Sequence, residues 1–168
     1  MDTSVTSSRA LIASAGLIAV IIVSATAVAC GSDSDNTVTP KPPTFGTTMN
    51  GAGEVPAKAV AGTGTATIVK NGTTYTYTIT YSGMSGPLNG AHIHGPAGTG
   101  VNTVVIVPFD VTNAGAAGTL TGTFTSTNNV NISTDSLDKL MTSGNAYVNL
   151  HTALNPGGEI RGQLAKTQ

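Results

Sequence analysis

Strict alternation of side-chain character marks the stretch Thr73–Tyr81 (TTYTYTITY). Tyrosine or isoleucine occupies every second position from residue 75 onward, and threonine fills the positions between. Successive side chains of a β-strand point to opposite faces, so this pattern predicts a strand with one buried and one exposed face. The tyrosines are expected to lie in the core or on the sheet surface rather than to form a sugar-binding stripe. Asn71-Gly72, just before, is a hairpin signal of the type that needs positive φ.

Short segments of similar character occur along the rest of the chain, separated by turn residues that include many of the 21 glycines and 8 prolines. Ser133–Ser143 is the one predicted helix, with Leu137, Leu140 and Met141 at helical spacing and Asp135 as its expected cap. The pattern predicts an all-β fold with one short helix near a C-terminal hairpin. A β-sandwich is favoured and a closed barrel is the alternative. The predicted strands are residues 62–70, 73–81, 91–94, 103–109, 119–127, 146–151 and 159–164.

Continuous apolar character distinguishes Thr103–Phe109 from the alternating segments. Such a run is expected of a strand that is buried on both faces or lies at the centre of a sheet. We therefore predict at this position a strand that is buried on both faces or central in its sheet.

The N-terminal region has the organisation of a secretory signal. Arg9 precedes the uncharged, largely apolar run Ala10–Ala29. The end of this run, Ala27-Val28-Ala29-Cys30, resembles the lipobox of bacterial lipoproteins, in which the cysteine is lipidated. We expect a signal peptide at 1–29, the lipidated Cys30 with a disordered tether at 30–44, and the globular domain at 45–168.

This organisation predicts an extracytoplasmic domain, held to the bilayer by acyl chains on Cys30. In a Gram-negative envelope, Gly31 after the cysteine favours the outer membrane. An uncleaved transmembrane helix and plain secretion are the alternatives, since about 20 apolar residues can span a bilayer.

Composition excludes several functional classes. A net charge of -1 with 9% charged residues gives no basic surface for nucleic acid. The single cysteine cannot form an internal disulfide or a cysteine-based zinc site. No G-x-S-x-G motif and no phosphate-binding loop is present, so no catalytic constellation is evident and we expect no enzyme. A hydrolase would need Glu54 or Glu159 in a cleft, and nothing in the sequence brings these carboxylates together.

All three histidines fall in two predicted strands. His92 and His94 are two residues apart and share a strand face, and His151 ends a later strand. Imidazole suits both zinc and copper, so these three residues are the candidate metal ligands. Neither spacing nor composition forces them together.

A structural hydrogen-bond network is the alternative role for this polar set. If Leu150 lies beside Ile160 in a C-terminal hairpin, Asn149 lies opposite Arg161 and His151 opposite Glu159. In this arrangement Asn149, Glu159 and Arg161 satisfy one another, and Glu159 pairs with Arg161. Glu159 could also act as a fourth metal ligand or hold a histidine N–H from outside the ligand set.

Three blocks of sequence carry a family resemblance. They are Met49–Pro56 (MNGAGEVP), Tyr81–Gly100 (YSGMSGPLNGAHIHGPAGTG) and Gly144–Gln163 (GNAYVNLHTALNPGGEIRGQ). In this order they resemble the CHRD domain, named for chordin, with Ala57 standing where that family usually has a second proline. The resemblance implies an immunoglobulin-like Greek-key β-sandwich without established catalysis. It therefore implies a binding or interaction module, whose protein or polysaccharide partner is not specified.

Overall fold

The computed structural model describes residues 40–125 and 132–168. The predicted signal peptide, Cys30 and most of the tether lie outside the described residues. Within the described ranges, no helix has the length and apolar character needed to cross a bilayer.

Strands dominate the described chain. They number nine, with one 3₁₀ turn at Gly51–Gly53 and one α-helix. The elements are β1 (Thr44–Asn50), β2 (Thr63–Asn71), β3 (Thr74–Ser82), β4 (Leu88–His94), β5 (Val105–Pro108), β6 (Gly118–Thr125), α1 (Thr134–Thr142), β7 (Tyr147–Thr152), β8 (Asn155–Gln163) and β9 (Ala165–Lys166).

The alternating segment forms β3 as predicted. Its three tyrosines and Ile79 are buried, whereas the threonines at 76, 78 and 80 are exposed. Asn71 pairs with Thr74 across the turn from β2, and Gly72 has a φ of 62° at the first loop position. A glycine with positive φ at that position fits the right-handed twist of a two-residue hairpin. The period-two pattern and the turn signal are both confirmed.

One antiparallel sheet contains all nine strands, in the order β5-β4-β7-β8-β1-β2-β3-β6, with β9 paired to β1. The sheet curls around the apolar core, so the rings of Tyr77 in β3 and Phe109 after β5 lie 4.5 Å apart. The predicted all-β class with one short helix is confirmed. The Greek-key sandwich stays a prediction, because the strands follow one continuous hydrogen-bonded path instead of two separate sheets.

Strand β5 is an edge strand with exposed residues, so the prediction over 103–109 of a strand that is buried on both faces or central in its sheet is wrong. Ile106 and Val107 are buried, whereas Val105 and Pro108 are exposed. Exposed valines made an edge strand resemble a doubly buried one, because an apolar run does not by itself distinguish the two.

Helix α1 lies within the predicted range but has a different cap. The Ser133 side chain accepts a hydrogen bond from the Ser136 N–H, and Asp135 lies in the first turn instead. A carboxylate in the first turn still favours the positive end of the helix dipole. Asp138 forms an ion pair with Lys70 and accepts a hydrogen bond of 2.6 Å from the Tyr75 hydroxyl, which fastens α1 to β2 and β3.

Strands β4, β7 and β8 carry polar side chains on the face that is turned away from the apolar core. Two segments cover this second face. Glu54, just after the 3₁₀ turn, contacts Asn149 of β7. The loop between β4 and β5 accepts hydrogen bonds from Arg161 and Gln163 of β8 at the carbonyls of residues 97, 98 and 101. The candidate site lies on this covered polar face.

Candidate metal centre

The antiparallel pairing of β4 with β7 brings the three histidines together. Gly90 pairs with His151, His92 with Asn149, and His94 with Tyr147. One ring nitrogen from each histidine lies within 4.8 Å of the other two. The three predicted ligands therefore form one cluster, although 59 residues separate His92 from His151.

Backbone carbonyls set the tautomers of two of these rings. The Nδ1 of His94 donates to the carbonyl of Thr103 at 2.9 Å, and the Nδ1 of His151 donates to that of Pro156 at 3.0 Å. In each neutral ring the proton is on Nδ1, so Nε2 carries the unprotonated lone pair. Metal-bound histidines are commonly oriented by this kind of outer hydrogen bond.

His94 Nε2 is buried and has no hydrogen-bond partner among the described residues. A buried nitrogen without a partner costs roughly 1–3 kcal/mol of stability. The lone pair is therefore available to a ligand that the polypeptide itself does not supply.

His92 is the most exposed member of the cluster. Its Nδ1 lies 3.1 Å from the Nε2 of His151 and donates to it, because His151 Nε2 carries no proton. Gly90 makes room for this approach. A Cβ at Gly90 would lie 3.0 Å from the Cε1 of His92 and 3.5 Å from the Cδ2 of His151.

A stack of three side chains holds His94 from one side. The Tyr147 ring is parallel to the His94 ring, with centroids 4.8 Å apart and an interplanar angle of 2°. The guanidinium carbon of Arg161 lies 3.4 Å from the Tyr147 ring centroid. Arg161 also donates to the carbonyls of Gly98 and Val101, which fixes its position. Tyr147 was not predicted as a site residue. Its strand parity with His151 was visible, but its register with His94 was not.

Burial keeps the three imidazoles neutral. Burial, together with the neighbouring His151 and His94, lowers the pKa of His92 to about 4. Burial also lowers the pKa of His94, with Arg161 opposing its protonation, and lowers that of His151. At neutral pH all three rings are in the form that binds metal ions.

Acid is expected to destabilise the metal-free protein. In the unfolded chain His92 titrates near its ordinary pKa of 6.5, whereas the folded chain binds that proton only near pH 4. The stabilising contribution is complete above pH 6.5 and is lost as the pH falls toward 4. We expect unfolding free energy to drop by about 1–2 kcal/mol between pH 7 and pH 5 for this ring. Urea denaturation of the full chain in EDTA measures it. Equal midpoints at the two pH values would contradict the expectation.

Glu159 does not join the histidines, and its predicted pairing with Arg161 is wrong. Within the described part of the chain no ion pair links them. Glu159 is fully buried and accepts hydrogen bonds from Ser85, Thr152 and Asn155. The hairpin register places Asn149 opposite Arg161 and Leu150 opposite Ile160, as predicted. A register shift between Leu150 and Thr152 then breaks the expected match of His151 with Glu159.

Asn149 serves a different partner from the one expected. Its amide donates to Glu54 at 2.5 Å and to the Ile160 carbonyl at 3.0 Å. Burial raises the pKa of Glu54, while Asn149, Arg161 and Lys58 oppose that shift. Asn149, Glu159 and Arg161 therefore belong to three different hydrogen-bond sets rather than to one network, and Glu54 and Glu159 bind different donors.

A comparison with family models identifies the chain. The CHRD domain model matches residues 45–164, which include all eight strands from β5 to β6 of the sheet order except the first residue of β1. Neither the curated proteins nor the solved structures include a significant match. Because the match covers more than half of the sequence, the chain belongs to the CHRD domain family.

Proposed function

We propose that this CHRD domain binds one transition-metal ion, copper or zinc, through His92, His94 and His151. The observation that carries the proposal is the buried Nε2 of His94, which has no hydrogen-bond partner in the described part of the chain and belongs to a trio of ring nitrogens less than 5 Å apart. Imidazole is a suitable ligand for both metals. The role is binding, without catalysis.

The alternative role, a purely structural network, accounts less well for the cluster. In a structural network every buried polar atom has a hydrogen-bond partner, and His92 Nδ1 and His151 Nε2 do bond to each other. His94 Nε2, in contrast, has no hydrogen-bond partner in residues 40–125 and 132–168. A bound ion would relieve that cost and would use the tautomers that Thr103 and Pro156 already impose.

We also propose that the domain lies outside the cytoplasm and is anchored to the bilayer by lipid on Cys30. The support for this is the lipobox-like sequence before Cys30 and the polar, proline-containing segment after it. As a tethered domain it would meet metal ions, and any protein or polysaccharide partner, at the envelope surface.

The proposal is tested by titrating the full chain, purified in detergent, with Cu(I) under anaerobic conditions, Cu(II) and Zn(II). We expect one ion per chain and, for at least one ion, a dissociation constant below about 10 μM. Replacing His94 with glutamine should weaken that binding about 100-fold, because it removes one of three ligands.

Asp110→Asn is the matched control, because Asp110 is an exposed carboxylate that could bind metal nonspecifically. It should bind like the parent. Binding weaker than about 10 μM for all three ions, or equal binding by His94→Gln and the parent, would refute the proposal.

A further inference from the structure

We propose that the three-histidine cluster holds copper as the monovalent ion Cu(I), in preference to Cu(II) and Zn(II). This inference rests on the proposed function, because it assigns the charge of the ion bound by the same imidazoles. Three independent features of the described site support it: ligand charge, a nearby fixed cation, and coordination number.

The ligand set carries no negative charge. The cluster of ring nitrogens contains histidines alone, with no carboxylate and no thiolate among the described residues. Glu54 and Glu159 accept hydrogen bonds from other groups. A divalent ion would bring two uncompensated charges into a largely buried site, and the desolvation cost of an ion grows with the square of its charge. A monovalent ion therefore fits this set better.

Arg161 adds a fixed positive charge behind the site. Stacking distances of 3.4 Å to Tyr147 and 4.8 Å from Tyr147 to His94 place the guanidinium carbon at most about 8 Å from the His94 ring centre. With an effective dielectric constant near 20, a unit charge at this range disfavours each added positive charge roughly tenfold. A divalent ion therefore incurs this roughly tenfold loss of affinity twice, whereas Cu(I) incurs it once.

The number of ligands also suits Cu(I). Structural zinc sites take four ligands from the protein, a zinc site with three histidines needs a water as its fourth ligand, and Cu(II) prefers a tetragonal set of nitrogen and oxygen. Cu(I) is satisfied by three nitrogens alone. The carbonyls of Thr103 and Pro156 accept hydrogen bonds from the Nδ1 atoms of His94 and His151. They therefore orient the rings from the side opposite the unprotonated Nε2 atoms.

Competition between chelators of known affinity and the full chain in detergent tests the preference. Bicinchoninate serves for Cu(I) under anaerobic conditions, and matched chelators serve for Cu(II) and Zn(II). We expect Cu(I) to bind at least about tenfold more tightly than either divalent ion. Equal or tighter binding of Zn(II) or Cu(II) overturns this inference and leaves the proposed function standing. Absence of binding by all three ions overturns the proposed function itself.

Replacing Arg161 with glutamine tests the source of the preference. The ratio of Cu(I) to Cu(II) affinity should fall about tenfold, which equals a reduction potential about 59 mV lower. If Arg161 acted through packing alone, its replacement would weaken the affinity for Cu(I) and the affinity for Cu(II) equally and would leave the reduction potential unchanged. Lys166→Gln, which removes an exposed charge from β9, should keep the parental potential. An unchanged reduction potential in Arg161→Gln would show that Arg161 is not the source of the Cu(I) preference. If that variant does not fold, the chelator competition with the wild-type chain decides whether the preference exists.

Discussion

Replacing Glu159 with glutamine is expected to lower the free energy of unfolding by about 3 kcal/mol. The carboxylate is fully buried, yet four donors converge on it. These are the Ser85 backbone N–H at 2.7 Å, the Ser85 and Thr152 hydroxyls at 2.5 Å each, and the Asn155 amide at 3.0 Å. Burial raises the pKa of Glu159, but these hydrogen bonds outweigh it and leave the pKa below its ordinary value.

The variant keeps the shape of the side chain but presents an NH₂ group to hydroxyl and amide donors. At least one of those donors then loses its acceptor in a buried position. Urea denaturation at pH 7 measures the effect, with Asp110→Asn as an exposed control that should unfold like the parent. A Glu159→Gln variant with the parental midpoint would show that the four hydrogen bonds contribute nothing net.

A methyl group at Gly162 is expected to destabilise the domain by about 3 kcal/mol or more. Gly162 lies in β8 opposite Val148 of β7. A Cβ at this position would overlap the backbone carbonyl of Thr48 and the hydroxyl of Thr47 in β1. A backbone atom inside a sheet cannot move aside cheaply, so the contact between β8 and β1 would have to open.

Gly157→Ala is the matched control for Gly162→Ala. It changes the same residue type five positions earlier, and its added Cβ would meet nothing within 4 Å. Thermal melts of both variants should separate clearly, with Gly157→Ala close to the parent. Comparable melting of the two variants would mean that β8 and β1 pack less closely than the structure shows.

Local pattern predicted much of the fold because burial alternates with strand parity. The Thr73–Tyr81 stretch, its preceding turn and the helix after Ser133 all follow from periodicity and capping chemistry. The order of the strands in the sheet did not follow from local pattern. Strand β5 lies at an edge because of how the sheet is ordered, and no local feature of its apolar run encodes that position. The neighbours of β1, which include β8 and β9, are likewise a property of the whole sheet.

At the candidate site, too, local pattern predicted some features and failed to predict others. His92 and His94 share a face by parity alone, and the register of Leu150 with Ile160 was inferred correctly from the apolar pattern. The hydrogen-bond partners of Glu159 were not predicted correctly. A register shift in the hairpin and the approach of Ser85 from a distant turn redirect that carboxylate. Irregularities of backbone geometry leave little trace in composition, so pairings that depend on them require coordinates.

The 59-residue separation between His92 and His151 has a consequence for when the site can exist. Closing so long a loop is entropically costly, and β4 and β7 must pair before the rings meet. An ion therefore cannot template the early stages of folding, as it does in a zinc finger. Metal would enter only a finished sheet and would leave as soon as that sheet opened, so occupancy would report the integrity of the whole domain.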